Sequence, residues 1–273
     1  MCDRRGTKPI DKMYKLYGVP VSQPYRSVVW TMLQLGVPFE MQITLAGATS
    51  EIGTKHENFL SLTPYRHNQI PLLIVDGEVG IGQSSAIMAY LCDRYGKKDS
   101  AKNTLQLYAP PGSTERALID SYIIWHHVNT RKLNVVFSAK VRKDLNWTAT
   151  DADYEKVKKA LTTLDQGWLS YSPTSKFIAG SKHATIADIL AFGEISALTM
   201  TNLITIDSAT YPKVTKWMKE MSALPYYEAA HKVLWTLGDL SADPIDRLDQ
   251  RLGEAIEAGF QALKEAKANF TLK

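Results

Sequence analysis

The spacing of apolar residues changes character once along the chain. In the first part, short alternating or continuous apolar runs are mixed with helical spacing. Tyr14 to Tyr17 predicts a short strand that stops at Gly18. Val28, Val29, Met32 and Leu35 share one face of a helix over Tyr25 to Leu35, which Gly36 ends. Phe39 to Leu45 alternates as a strand does, and Thr54 to Leu62 predicts a short helix. Ile70 to Val75, Asp76-Gly77 and Glu78 to Ile81 read as a hairpin with Asp-Gly as its turn. Ser84 to Tyr95 predicts a helix, with Gly96 as its cap. The predicted order is βαβαββα.

After this module the pattern turns helical. Lys97 to Ser113 is polar, carries Pro110, Pro111 and Gly112, and reads as a linker. Helical patterns then cover Thr114 to about Lys143, Asp151 to Ser170, Thr185 to Asn202, Pro212 to Ala223 and Pro225 to Leu237. Asp243-Pro244 predicts an N-cap and first turn for a last helix. Ile245, Leu248, Leu252, Ile256, Phe260 and Leu263 give it an amphipathic stripe. Such a stripe either packs on its own subunit, over a site or along the bundle, or binds a partner. The predicted organisation is an α/β domain over 13–97, a linker over 98–112, an all-helical domain over 113–240 and an amphipathic extension over 241–273.

Composition removes several function classes. The 273 residues carry a net charge of +4, and no block of like charges suits a nucleic-acid arm. No apolar stretch reaches the length that spans a membrane. The charged start, Met1 to Asp11, has no apolar core of a secretory signal. The two cysteines, Cys2 and Cys92, make no disulfide framework, which fits a reducing, cytoplasmic setting. His126-His127 suggests a metal at first sight. Adjacent helical residues point apart, however, and no partner has ligand spacing, so no metal is expected.

Four segments carry candidate chemistry. Ser22-Gln23-Pro24-Tyr25-Arg26 follows the first strand and opens the first helix. Ile70-Pro71 opens the third strand, and Gln83-Ser84-Ser85-Ala86-Ile87 opens the third helix. Thr185-Ile186-Ala187-Asp188 opens a helix in the second half. By local chemistry Ser22 reads as a plain N-cap with Pro in the first turn. Gln83 and Ser84 sit where a helix N-terminus offers N–H groups to an anion. Thr185 and Asp188 form a capping box, a folding role.

Taken in this order, the segments resemble the glutathione transferase superfamily, and within it the theta class. Asp120 to His127 with Arg131 resembles the first helix of the theta helical domain. The resemblance covers about residues 13 to 236 and implies a thioredoxin-like α/β domain followed by an all-α bundle. It implies glutathione as co-substrate, an electrophile as second substrate and a homodimer. Ser22 then becomes the residue that activates the thiol.

The physical case for Ser22 is simple. A free thiol has a pKa of about 8.5, and only the thiolate is a strong nucleophile. A hydroxyl donating to sulfur favours the charged form, and a helix N-terminus adds partial positive charge. Lowering the pKa by about two units needs about 2.7 kcal/mol of differential stabilisation. Ser22 does not ionise near neutral pH, so its role is hydrogen-bond donation. Arg26, one turn on, either supports the field or only packs.

The remaining roles also follow from the resemblance. Pro71 holds a cis bond that presents the Ile70 backbone to the cysteinyl part of glutathione. Gln83 and Ser84 take the γ-glutamyl end. Theta members usually have Glu at the position of Gln83. Lys55 and His56 correspond to a pair at the glycine end, in reversed order. Arg131 faces the glutathione site. Val21, Tyr25, Trp125 and Asn129, with Pro20, line the electrophile site. The loop carrying Tyr65-Arg66-His67-Asn68 is a residue longer than in many relatives and reshapes the site edge. The expected activity is attack of the thiolate on small alkyl halides, epoxides, isothiocyanates or hydroperoxides. The alternative is a binding or assembly module without turnover.

Overall fold

The computed structural model describes residues 14–96 and 106–268. Cys2, the charged start, domain limits 13 and 97, linker residues 98–105 and extension residues 269–273 lie outside the described residues.

The first module contains β1 (Tyr14–Gly18), α1 (Gln23–Leu35), β2 (Phe39–Ile43) and α2 (Glu57–Leu60). It continues with β3 (Leu72–Val75), β4 (Val79–Gly82) and α3 (Ser84–Tyr95). The strands form one sheet in the order β2-β1-β3-β4. β1 runs parallel to β2, with Leu16 opposite Met41. β3 is antiparallel to both neighbours, with Leu73 opposite Leu16 and Ile81. All four residues of β3 are buried, as their unbroken apolar run requires. The hairpin turns on Asp76 (φ 55°) and Gly77 (φ 78°), the paired positive φ values that an Asp-Gly turn favours. Gly36 ends α1 in the left-handed region. Cys92 is buried in α3, and burial pushes its thiol up to about 12.

The second module is helical. It holds α4 (Thr114–Val128), α5 (Asn134–Val141), α6 (Asp151–Gln166), α7 (Ile186–Thr199), α8 (Pro212–Ser222), α9 (Tyr227–Leu237) and α10 (Leu248–Ala268). α7 is buried from Ile186 to Leu198 and forms the core of the bundle. Its start is held by Asp188, whose carboxylate accepts from Thr185 N (2.8 Å), Thr185 Oγ1 (3.0 Å), Ile178 N (2.9 Å) and Trp217 Nε1 (2.9 Å). Burial still pushes that carboxyl up to about 6.

α1 packs between the sheet and the bundle, so it is buried on nearly all sides. Ser27 Oγ donates to Ile189 O (3.3 Å), and a Cβ at Gly193 would come within 2.7 Å of that hydroxyl. Gly193 therefore sets how closely α1 and α7 approach. Trp30 donates to Pro225 O (2.8 Å) and stacks edge-on to Phe192 and His231.

Several elements differ from the sequence-based expectation. The helix expected from Thr114 to Lys143 breaks at Asn129 (φ −122°, ψ −83°). Its side-chain amide donates to Trp125 O (2.8 Å), the same oxygen that accepts from the Asn129 backbone N–H (3.1 Å). A 3-10 turn over Thr130–Leu133 re-aims the chain into α5. The helix expected over Thr54 to Leu62 is only four residues long. The last helix begins at Leu248, not at Asp243; the segment from Ala242 to Arg247 forms bends and a turn instead. The described end of the linker is anchored: Leu107 and Ala109 are buried, and Leu107 O accepts from Ile186 N (2.8 Å).

α10 lies along α9 within the same chain. Gly259 lets it approach the first module, since a Cβ there would lie 2.8 Å from Pro20. Arg251 donates to Leu237 O, tying the helix to the end of α9. Among the described residues no helix is long and apolar enough to cross a membrane.

Candidate functional site

The N-termini of α1 and α3 open onto one cavity of about 1320 Å³ between the two modules. Ser22, Ile70, Gln83, Ser84 and Arg131 all line it. The antiparallel β1–β3 and β3–β4 pairings bring Ser22, Ile70, Gln83 and Ser84 together, and Arg131 comes from the 3-10 turn after α4.

Ser22 occupies the N-cap position of α1 with extended backbone (φ −72°, ψ 121°), but its hydroxyl makes no capping hydrogen bond. The plain N-cap that local chemistry suggests is therefore realised by the backbone alone. The hydroxyl is half-buried at the cavity wall, with no hydrogen-bond partner among the described residues. Its approach is rigid. Arg26, 2% exposed, donates to Pro20 O (3.1 Å), Val21 O (2.9 Å) and Gly193 O (2.9 Å). Arg26 thus clamps the turn that presents Ser22. Burial pushes its guanidinium down to about 10, with Glu194 acting against that. Beside it, Gln23 Nε2 donates to Asn134 Oδ1 (2.5 Å), joining the two modules at the cavity floor.

The Ile70–Pro71 bond is cis. Gln83 has positive φ (65°, ψ 116°), an uncommon conformation for a residue other than glycine. Neither Gln83 nor Ser84 uses its side chain as a cap, so the N-terminus of α3 faces the cavity uncovered. His67 lies against Gly82, where a Cβ would come within 2.6 Å of its ring. Burial lowers its pKa, so the ring favours the neutral form.

Other expected residues fall elsewhere. Lys55 is exposed, and neither it nor His56 lines the cavity. His56 Nδ1 instead accepts from Asn58 N (3.2 Å) and caps α2. The segment Leu45 to Ser50 occupies that wall. Tyr25 is fully buried against Gly18 and does not reach the cavity. Trp125 faces Tyr122 and Trp168, at 5.6 and 5.8 Å between ring centres, away from the cavity. Asn129 ends α4 and does not line the cavity. Of the four expected electrophile-site residues, Val21 alone lines the cavity. His126 is buried and His127 exposed, so the two rings diverge. Burial, with Arg131 and His127 adding, pushes His126 down to about 3.

Leu252 and Ile256, from the amphipathic stripe expected to pack over a site or along the bundle, line the cavity. Phe137 and Val141 of α5 and Trp147, which the sequence reading missed, line it as well. Arg131 pairs with the buried Glu194 of α7 at 3.2 Å. Burial pushes that carboxyl up to about 7, while Arg131 and Arg26 hold it down. The arrangement can hold an extended polar ligand along Ile70, Gln83 and Ser84. It would place that ligand's reactive atom between the Ser22 hydroxyl and an apolar wall.

Comparison with known proteins agrees with this architecture. The family model described as "Glutathione S-transferase, N-terminal domain" matches residues 16–99, and "Glutathione S-transferase, C-terminal domain" matches residues 132–225. Glutathione S-transferase T1 of Arabidopsis thaliana is 26% identical over 236 residues, covering 81% of this chain and 89% of that protein. The dichloromethane dehalogenase of Methylorubrum extorquens is 26% identical, covering 82% of this chain and 76% of that protein. The structure of human glutathione transferase theta-2, in complex with glutathione, superposes with a TM-score of 0.69 at 21% identity. It covers 94% of this chain and 100% of that one. With both family models matched in order on a thioredoxin-like domain and a helical bundle, the chain belongs to the glutathione S-transferase superfamily and is a transferase.

Proposed function

We propose that Ser22 donates a hydrogen bond to the sulfur of bound glutathione, holds it as thiolate, and so activates it for attack on an electrophile. The observation that carries this reading is the Ser22 hydroxyl: it stands at a helix N-terminus, makes no cap bond and lines the cavity. Glutathione lies along the first module. The Ile70 backbone pairs with its cysteinyl part, and Gln83 and Ser84 receive the γ-glutamyl end. Arg131 supplies positive charge at the opposite wall, tempered by Glu194. Thr185 and Asp188 hold α7 and take no part in the chemistry.

The electrophile classes are alkyl halides, epoxides, isothiocyanates and hydroperoxides. The dehalogenase relative lends support to halides. With a halide, the thiolate sulfur forms a bond to carbon, the carbon–halogen bond breaks, and halide leaves. Holding both reactants in one cavity supplies much of the rate. The protein acts in the cytoplasm, in line with its buried, unpaired Cys92, and the family resemblance carries the homodimer.

A second reading, a binding module without turnover, draws on Lys55 and His56 standing away from the cavity. Conjugation assays over a panel of halides and hydroperoxides separate the two. Turnover supports the enzyme; retention on glutathione resin with no turnover supports the module.

A further inference from the structure

Two buried carboxylates on α7 are satisfied in different ways. Asp188 accepts four hydrogen bonds from neutral donors fixed by the fold. Glu194, 3% exposed, has one hydrogen-bonding partner among the described residues: Nη1 of Arg131 lies 3.2 and 3.3 Å from its two oxygens. That guanidinium is 32% exposed and lines the cavity. Its Nε and Nη2 make no hydrogen bond among the described residues. A buried carboxylate depends on its counter-charge. Here the counter-charge is the group that an anion in the cavity would also engage.

The surroundings leave Glu194 as the member of this cluster that can change its charge near neutral pH. Arg26 of α1 also acts on the carboxyl, but its guanidinium is committed to the carbonyls of Pro20, Val21 and Gly193. Tyr122 of α4 faces it with a phenol that burial pushes up. His126 of α4, beside Arg131, and His231 of α9, beside Arg26, are pushed down to about 3 by burial, so both rings are neutral. Among the described residues, α3, α5 and α8, which also pack on α7, bring no charged group to bear on the carboxyl. Burial holds Glu194 at about 7, against the pull of Arg131 and Arg26.

We infer that Glu194 is a positioning residue that shares Arg131 with the ligand: when a carboxylate of glutathione engages Arg131, Glu194 takes up a proton from water and leaves the guanidinium to the ligand. This rests on the glutathione-transferase reading above. The proton bonds to a Glu194 oxygen, and no bond to carbon or sulfur changes. Binding energy then depends on pH through a residue that never touches the ligand.

Calorimetric titration of the full chain with S-methylglutathione, which has no thiol to ionise, tests it. Repeating the titration in buffers of different ionisation enthalpy counts the protons taken up. His67 and His127 at the cavity wall are present in both parent and Glu194→Gln, so the difference between the two proteins isolates Glu194. If the ligand raises the proton affinity of Glu194 about tenfold, the parent should take up about 0.4 proton per site more than Glu194→Gln at about pH 7 to 8, and under about 0.1 more at about pH 6. Relative to Glu194→Gln, the parent's affinity should fall about fivefold from about pH 6 to about pH 8. Glutathione itself adds a released thiol proton to both proteins and should leave the same difference between them. An ion pair that only holds the fold gives equal proton counts in the two proteins, and that result overturns the inference. If Glu194→Gln does not fold, infrared difference spectra of the parent decide. Adding S-methylglutathione near pH 7.5 should produce a protonated-carboxyl band and remove a carboxylate band; no such exchange overturns the inference. Failure of both ligands to bind overturns the glutathione reading as well, whereas binding with equal proton counts overturns the sharing of Arg131 alone.

Discussion

Arg131 on the cavity wall and Glu194 in the buried core of α7 form an ion pair at 3.2 Å, linking the site to the centre of the bundle. Arg131 is 32% exposed and Glu194 only 3%, so the burial penalty falls mainly on the carboxylate. Its folded-state pKa is raised to about 7 from the ordinary 4.5, and Asp188 is raised to about 6 from 3.8. An acid with a raised native pKa holds its proton more tightly in the folded state than in the unfolded chain. Native stability from these two groups is therefore greatest at low pH and falls as pH rises from about 4 to about 7. Glu194 accounts for up to about 3 kcal/mol of that fall. Urea unfolding across this range should show the loss, and Glu194→Gln should flatten its upper half. An unchanged slope in Glu194→Gln would remove Glu194 as the cause.

Asp188 accepts four hydrogen bonds from Thr185, Ile178 and Trp217. Asp188→Ala leaves those donors unpaired inside the bundle and should destabilise the protein by about 3–5 kcal/mol. Asp188→Asn keeps the acceptor oxygen and should lose less. Because Asp188 does not line the cavity, turnover per folded molecule of Asp188→Asn should stay within about twofold of the parent. A large kcat loss with intact stability would place Asp188 in the chemistry after all.

Lys55 and His56 stand off the cavity, and His56 caps a four-residue helix. Lys55→Ala should change KM for glutathione by less than about twofold. His56→Ala should lower stability by about 1 kcal/mol through the lost cap, with a similarly small effect on KM. A tenfold rise in KM for either variant would return that residue to the glycine end of the site.

Much of the first module was legible because its signals are local. The Asp76-Gly77 turn, the apolar run of β3 and the stop at Gly36 each depend on a few adjacent residues. The places of Ser22, Ile70, Gln83 and Ser84 followed from the order of short motifs. The electrophile wall was not legible, because it depends on which way a helix faces. Trp125 and Asn129 sit on the same helical segment as the lining residues Ile123 and His127, yet turn away. The break at Asn129 is a backbone change at one residue that the apolar periodicity does not register. Tyr25 was misplaced for a related reason. Its ring fills the space above Gly18, a contact set by the β1–α1 packing.

The role of Ser22 is tested most directly by titrating the thiol of bound glutathione through its thiolate absorbance, in the parent protein and in Ser22→Ala. The parent should show a thiol pKa about two units below the free value of about 8.5. Ser22→Ala should return it most of the way to the free value and lower kcat/KM near neutral pH by about tenfold or more, with glutathione affinity within about threefold. A titration and kcat/KM in Ser22→Ala that match the parent would contradict the account.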